Sequence, residues 1–249
     1  MRLRTCLWVG ALLAVTPCWL QADIVVSSGF GTPTINGVFS PGEWAKAGQT
    51  TFSVNTIDGP ASATMYVMND AANLYVGFTI TYPTWSSVEI DFSNDNSGAF
   101  QNGDDAIGFN SSLNRFYDMF RTNLDPCSSS APGACGFNDA DYGGTVDGSG
   151  ASSSAGGVTY YELSHPLNSG DTGHDFSLVP GDSVGFTLYL AQCNGDRGCY
   201  DTSFPGSSFA SAFGTIVTAS GPEAPEPATV GLLAAGLVGL LALRRKRAA

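Results

Sequence analysis

Short runs of β-branched and aromatic residues, each bounded by Gly, Asn, Asp or Pro, fill the middle of the chain. Nine of them read as strands: 51–54, 62–68, 74–81, 87–92, 106–109, 116–121, 158–163, 183–190 and 214–218. In Val88-Glu89-Ile90-Asp91-Phe92 the apolar side chains share one strand face and the two carboxylates the other. Phe186, Leu188 and Leu190 repeat the alternation. Turn chemistry separates the runs at Asn69-Asp70, Asn94-Asp95-Asn96, Asn102-Gly103 and Pro180-Gly181-Asp182. Only 41–47 predicts a short helical turn, with Ser40 as N-cap and Pro41 in the first position. About nine strands at this spacing predict an all-β fold, a two-sheet antiparallel β-sandwich. Between 123 and 157 the chain turns to Ser, Gly, Ala and Asp. That composition predicts a surface excursion held by Cys127 and Cys135, with a flexible end at 148–157 (GSGASSSAGG).

Two apolar segments break this texture. In 1–22, Arg2 and Arg4 precede an apolar run at 7–15 (LWVGALLAV), Pro17 follows, and Ala22 stands where a signal peptidase cuts. Cleavage before Asp23 is expected. A lipoprotein reading would put the lipid on Cys18, but Pro17 occupies the place where that processing prefers a small residue. In 228–243 sixteen small or apolar residues carry no charge, and Arg244, Arg245, Lys246 and Arg247 follow at once. As a helix they rise about 24 Å, a little short of a ~30 Å hydrocarbon core. Snorkelling arginines cover the difference, and the cationic cluster holds that end in the cytoplasm. The expected organisation is a signal peptide at 1–22 and an ectodomain at 23–220 with a Cys/Gly/Ser-rich insert at 123–157. A Pro-rich linker at 221–227, a single C-terminal transmembrane helix at 228–243 and a basic cytoplasmic tail at 244–249 follow.

Charge then narrows the partners. The 249 residues carry 22 Asp and Glu against 10 Lys and Arg, a formal net charge of −12. With both ends set aside, Lys46, Arg115, Arg121 and Arg197 are the ectodomain's only basic residues. Such a domain repels nucleic acid and anionic membrane and favours divalent cations. Cys6 and Cys18 leave with the signal, so Cys127 with Cys135 and Cys193 with Cys199 remain as two local pairs. Export to an oxidising compartment predicts two short-loop disulfides. A zinc site is the alternative, although the gaps are wide for a zinc ribbon and no histidine lies beside either pair.

The order of Pro225-Glu226-Pro227, apolar segment and basic cluster resembles the PEP-CTERM sorting domain of Gram-negative bacteria. The resemblance covers 225–247 and implies that an exosortase, a membrane cysteine transpeptidase, recognises the tail and cuts near the triad. Proteins of this kind accompany exopolysaccharide and biofilm gene sets. The chain is then an exosortase substrate, anchored in the inner membrane before processing and at the cell surface or extracellular afterwards.

A second series runs through the ectodomain. It comprises Ile35-Asn36-Gly37, Gly42-Glu43-Trp44-Ala45-Lys46-Ala47, Asn69-Asp70, Asn73-Leu74-Tyr75-Val76-Gly77-Phe78, Trp85 and Val88-Glu89-Ile90-Asp91-Phe92. Tyr161-Glu162-Leu163, Pro166, Pro180-Gly181-Asp182 and Val184-Gly185-Phe186 complete it. The series resembles the DOMON-related, family-nine-like carbohydrate-binding sandwich over about 34–190. Asn36 stands where an acidic residue is common, and the Cys-rich insert is not part of the pattern. The resemblance implies a jelly-roll-like, non-catalytic carbohydrate-binding-like module. A sugar binder needs an aromatic face to stack on a pyranose, with polar side chains to orient the hydroxyls. Trp85 and Tyr82, together in the 82–86 loop, are the ligand candidates; Trp44 reads as a packing residue sealing the sandwich end. Sandwiches of this kind often bind calcium, which takes carboxylate, amide and carbonyl oxygens on Gly-permitted turns. Asp91, Asp95, Asp104 and Asp105 are the candidate Ca²⁺ ligands, and a loop rich in turn formers is the alternative.

Signals for catalysis are few. His165 and His174 are the only histidines, with Asp171 and Asp175 nearby, and such a pair can act as base or bind metal. Glu89 and Asp91 have about the spacing of paired glycosidase carboxylates, as alternating polar positions on any exposed strand do. Nucleophile elbow, HExxH and phosphate-cradling loop are all missing from the sequence. No enzyme activity is expected. Three readings remain: a surface module bound to exopolysaccharide or matrix, a structural matrix protein without a sugar ligand, and a secreted hydrolase.

Overall fold

The computed structural model describes residues 24–122, 135–194, 198–208 and 211–221. The expected signal peptide, Cys127, Pro225, Glu226, Pro227, the expected membrane helix and the basic tail lie outside these residues. Among the described residues no helix is long and apolar enough to cross a membrane.

The described chain is built of strands and one 3₁₀ turn at Asp139–Asp141. In order the strands are β1 (Val25–Ser27), β2 (Gly29–Phe30), β3 (Gly48–Thr56), β4 (Gly59–Asn69), β5 (Asn73–Ile80), β6 (Ser87–Ser93) and β7 (Asp105–Asn110). Then come β8 (Arg115–Thr122), β9 (Cys135–Asn138), β10 (Ser149–Ala155), β11 (Val158–Pro166), β12 (Ser183–Asn194), β13 (Gly198–Phe204) and β14 (Gly214–Val217). One sheet has the order β1-β14-β12-β6-β7-β8-β9, with β13 also paired to β12. The other runs β10-β11-β5-β4-β2, with β3 also paired to β4. The pairings are antiparallel except β1 with β14 and β2 with β4.

Alternation places the core. Val88, Ile90 and Phe92 of β6 and Phe186, Leu188 and Leu190 of β12 are buried together with Met65, Phe78 and Tyr161 of the second sheet. This is the packing of a two-sheet sandwich, in which the inner faces of both sheets interdigitate. All nine expected strands form. Cys193 and Cys199 are bonded where they sit opposite each other in the β12–β13 hairpin.

Three local expectations change. Residues 149–155 are no flexible end: β10 pairs along its whole length with β11, from Ser149 opposite Ser164 to Ala155 opposite Val158. Gly156 and Gly157, both at positive φ, form the two-residue turn that such a hairpin requires. The second half of the expected excursion is thus sheet. No helix forms at 41–47; a series of i to i−3 turns replaces it, because Gly42 takes a φ of 84° and breaks the helical run. Ser40 donates its backbone N–H to the Glu43 carboxylate at 3.1 Å instead of capping a helix with its hydroxyl.

The same segment covers the outer face of the second sheet. Trp44 stacks on Phe39, with ring centroids 5.2 Å apart, and both lie over Gly77, where a Cβ would meet Phe39 at 2.7 Å. Trp44 is therefore a packing residue, on the sheet's flank and not at the sandwich end. Its indole N–H donates to Glu162 at 3.0 Å, and the backbone N–H groups of Asn36 and Gly37 donate to the other oxygen of that carboxylate. Replacing Glu162 by alanine leaves these donors buried without an acceptor. The variant should lose about 2–4 kcal/mol of unfolding free energy in urea, and a loss under 1 kcal/mol would show that the carboxylate does not pin the segment.

Candidate functional site

The four expected calcium ligands do not converge. Asp91 is fully buried on the outer face of β6, where the Arg121 Nε donates to its Oδ1 at 2.6 Å. Arg121 Nη2 reaches both Glu89 and Asp91, and the Phe100 ring lies 5.6 Å from the guanidinium carbon. That arrangement removes the Glu89–Asp91 pair as an open acid and base. Asp95 is exposed and accepts the Ser97 N–H at 3.0 Å. Asp104 accepts the backbone N–H groups of Asn94 at 2.9 Å and Gln101 at 2.7 Å, so it organises its own loop. Only Asp105 belongs to a group of side chains close enough to share an ion.

The expected sugar-facing aromatics are also placed differently. Trp85 is 3 % exposed, packs in the core and donates its indole N–H to Ser87 O at 3.0 Å. Its loop position suggested exposure, but the chain folds it inward beneath Tyr161, whose hydroxyl bonds to Trp85 O at 2.7 Å. Tyr82 is half-buried and donates to Asp58 at 2.8 Å. A concave space among the described residues lies elsewhere, on the outer face of β6, β7 and β8. It encloses about 330 Å³ and is lined by Glu89, Asn110, Arg115, Tyr117, Met119 and Asn138 among others. Gly108 lets the Tyr117 ring lie flat on the sheet there, since a Cβ would overlap that ring.

Between the sheets, at one end of the sandwich, Asp105, His165 and Asp175, which the sequence offered as separate candidates, meet Asp118 and Asp139, which it did not single out. Asp105 opens β7 on the face of Ile107 and Phe109; Asp118 lies on β8 opposite Ile107; His165 stands next to the end of β11 on the face of Tyr161 and Leu163. Asp175 comes from the loop after β11, and Asp139 from the 3₁₀ turn after β9. Asp105, Asp118, Asp139 and His165 are at most 1 % exposed and Asp175 8 %. His165 Nε2 lies 3.4 Å from Asp175, 3.9 Å from Asp118 and 4.0 Å from Asp105. Among the described residues neither oxygen of Asp105, Asp139 or Asp175 has a hydrogen-bond partner, nor has Asp118 Oδ1 or His165 Nε2. A second trio, Asp139, Asp171 and Asp175, adjoins the first, and His174 Nδ1 lies 2.8 Å from Asp171.

Burying these groups shifts them strongly. Loss of solvent pushes Asp105 well above the usual carboxylate range, and Asp118 to about 6. Burial, with Asp118 and Asp175 beside it, raises Asp139 to about 9. Burial works against the His165 imidazolium, but Asp105, Asp175 and Asp118 outweigh it and carry the ring to about 9. Asp175 is also opposed by burial, yet the neighbouring His165 holds its carboxyl below the ordinary value.

The tail and the fold each match known proteins. Residues 223–247 match the PEP-CTERM protein-sorting motif. The chain is thus an exported protein sorted to the cell envelope, and its described residues form an all-β sandwich. A family 9 carbohydrate-binding module from Caldicellulosiruptor kristjanssonii, solved with glucose, superposes with a TM-score of 0.57 at 14 % identity. That match covers 82 % of this chain and 100 % of the module. A family 9 module from the same organism, solved with cellotriose, gives a TM-score of 0.54 at 17 % identity, over 83 % of this chain and 96 % of the module. At these identities the likeness shows the fold. No curated protein matches the chain in sequence.

The four elevated groups share one sign in their effect on stability. Asp105, Asp118, Asp139 and His165 each bind protons more tightly folded than unfolded, so raising the pH from 5 to 9 removes stability from the cation-free protein. In EDTA the melting temperature should fall steadily across that range. A melting temperature that is flat or rises over it would contradict the clustering of these charges.

Proposed function

We propose that the protein is a non-catalytic, carbohydrate-binding-like module. On this reading it is anchored briefly in the inner membrane by its C-terminal helix, processed by an exosortase and delivered to exopolysaccharide or biofilm matrix. The observation that carries this reading is the pairing of a sorting tail with a sandwich shared with modules solved on glucose and cellotriose. The outer groove supplies the chemistry a pyranose needs: a Tyr117 ring set on the sheet beside Asn110, Arg115, Asn138 and Glu89. Arg121, beneath it, fixes Glu89.

Burial of both Trp44 and Trp85 favours a second reading, in which the sandwich is a structural matrix component with no sugar ligand. Affinity electrophoresis of the exported protein in gels containing the producing cell's own polysaccharide separates the two. Retardation should occur and should weaken at least about tenfold in Tyr117→Ala, the loss of one stacking and hydrogen-bonding contact. Unretarded wild-type protein would favour the matrix reading.

Processing is tested separately. With Pro225, Glu226 and Pro227 replaced by alanines, full-length chain should accumulate in the membrane fraction. Normal cleavage and release of that variant would rule out exosortase recognition of the triad.

A further inference from the structure

We propose that His165 Nε2 and carboxylate oxygens of Asp105, Asp118 and Asp175 form a closed binding site for one divalent transition-metal cation, Zn²⁺ being the best fit. The site is independent of the sugar groove and ties both sheets and the 168–177 loop together at one end of the sandwich.

Hydrogen bonding fixes the imidazole. His165 Nδ1 lies 2.8 Å from Pro166 O, and a carbonyl oxygen can only accept, so Nδ1 carries the hydrogen. Nε2 faces three carboxylates across gaps that no hydrogen bond spans; a cation there takes the place of the proton that these carboxylates hold on the metal-free ring, and leaves the imidazole neutral as a ligand. A metal-ligating histidine typically donates its other N–H to a carbonyl or carboxylate in this way. Asp118 shows the matching support: its Oδ2 accepts the Asp147 N–H at 2.7 Å while Oδ1 stays unpartnered.

Spacing agrees. One ligand atom from each of the four residues can be chosen so that all lie within 4.8 Å of one another. The separations of 3.4, 3.9 and 4.0 Å from Nε2 are too long for good hydrogen bonds. They suit donors arranged around an ion with bonds of about 2.0–2.2 Å. Calcium takes six to eight oxygens, whereas imidazole together with carboxylates in a four-donor set suits zinc. With all four positions filled by protein and the residues buried, the site is structural and leaves no place for substrate.

The test uses the full-length chain purified in detergent without chelator. Elemental analysis should find one zinc per chain. Zn²⁺ added at a hundredfold excess over its dissociation constant to EDTA-stripped, dialysed protein should raise the melting temperature by about 5–10 °C. Co²⁺ in its place should show the visible bands of a tetrahedral site. Asp118→Asn keeps the side-chain volume and relieves repulsion. It should melt no lower than wild type in EDTA yet lose the Zn²⁺-induced shift, which separates lost binding from lost folding. His165→Ala should abolish the cobalt spectrum. No response to Zn²⁺, a response to Ca²⁺ alone, or an unchanged zinc shift in Asp118→Asn would each overturn the proposal.

Discussion

A carboxylate buried between apolar sheets must find compensating charge or donors, because taking an ion out of water costs several kcal/mol even after relaxation. This ectodomain buries many carboxylates and has only Lys46, Arg115, Arg121 and Arg197 as basic residues. Its architecture follows from three answers to that shortage. Glu162 is met by an indole and two backbone N–H groups, which fastens the 31–47 segment over the second sheet. Asp91 and Glu89 share Arg121, which organises the outer face of the first sheet. The four aspartates at the sandwich end have, among the described residues, the Asp147 N–H on Asp118 and His165 as their one basic side chain, and that remainder of negative charge is what a divalent cation offsets.

These three arrangements divide the molecule by role. The Trp44–Glu162 pair and the acid–histidine cluster are sealed and stiffen the fold. The groove above Arg121 stays open and polar, with a tyrosine on its floor. An acidic, disulfide-linked sandwich suits an exported protein sorted to the cell envelope. The tail marks the chain for sorting to the envelope, and on the proposed reading the groove is where it meets a ligand.

Much of this was readable in the chain, for definite reasons. Runs such as Val88–Phe92 and Val184–Leu190 alternate at period two, so both strands and their buried faces followed directly. β10 escaped because Ser, Gly and Ala carry no periodic signal; its pairing is imposed by β11, which supplies the aromatic side chains. Trp85 misled because a loop position does not say which way a side chain turns. The buried cluster did leave a signal. In 105–109, 116–120 and 161–165 a charged or ionisable residue occupies a core-facing position beside Ile107, Phe120 or Leu163. An ionisable side chain out of phase with its own strand's solvent face points to a partner supplied from elsewhere. Asp139 and Asp175 left no such trace, since only folding brings their loops to the sandwich end.

The account rests most directly on what neutralises that end. Anomalous diffraction at the zinc edge, from crystals of the protein grown with Zn²⁺, locates the ion without reference to activity or stability. The account predicts a peak bonded to His165 Nε2 and to oxygens of Asp105, Asp118 and Asp175 at about 2.0–2.2 Å. An absence of anomalous density there, with His165 hydrogen-bonded to Asp175 as an imidazolium, would contradict it.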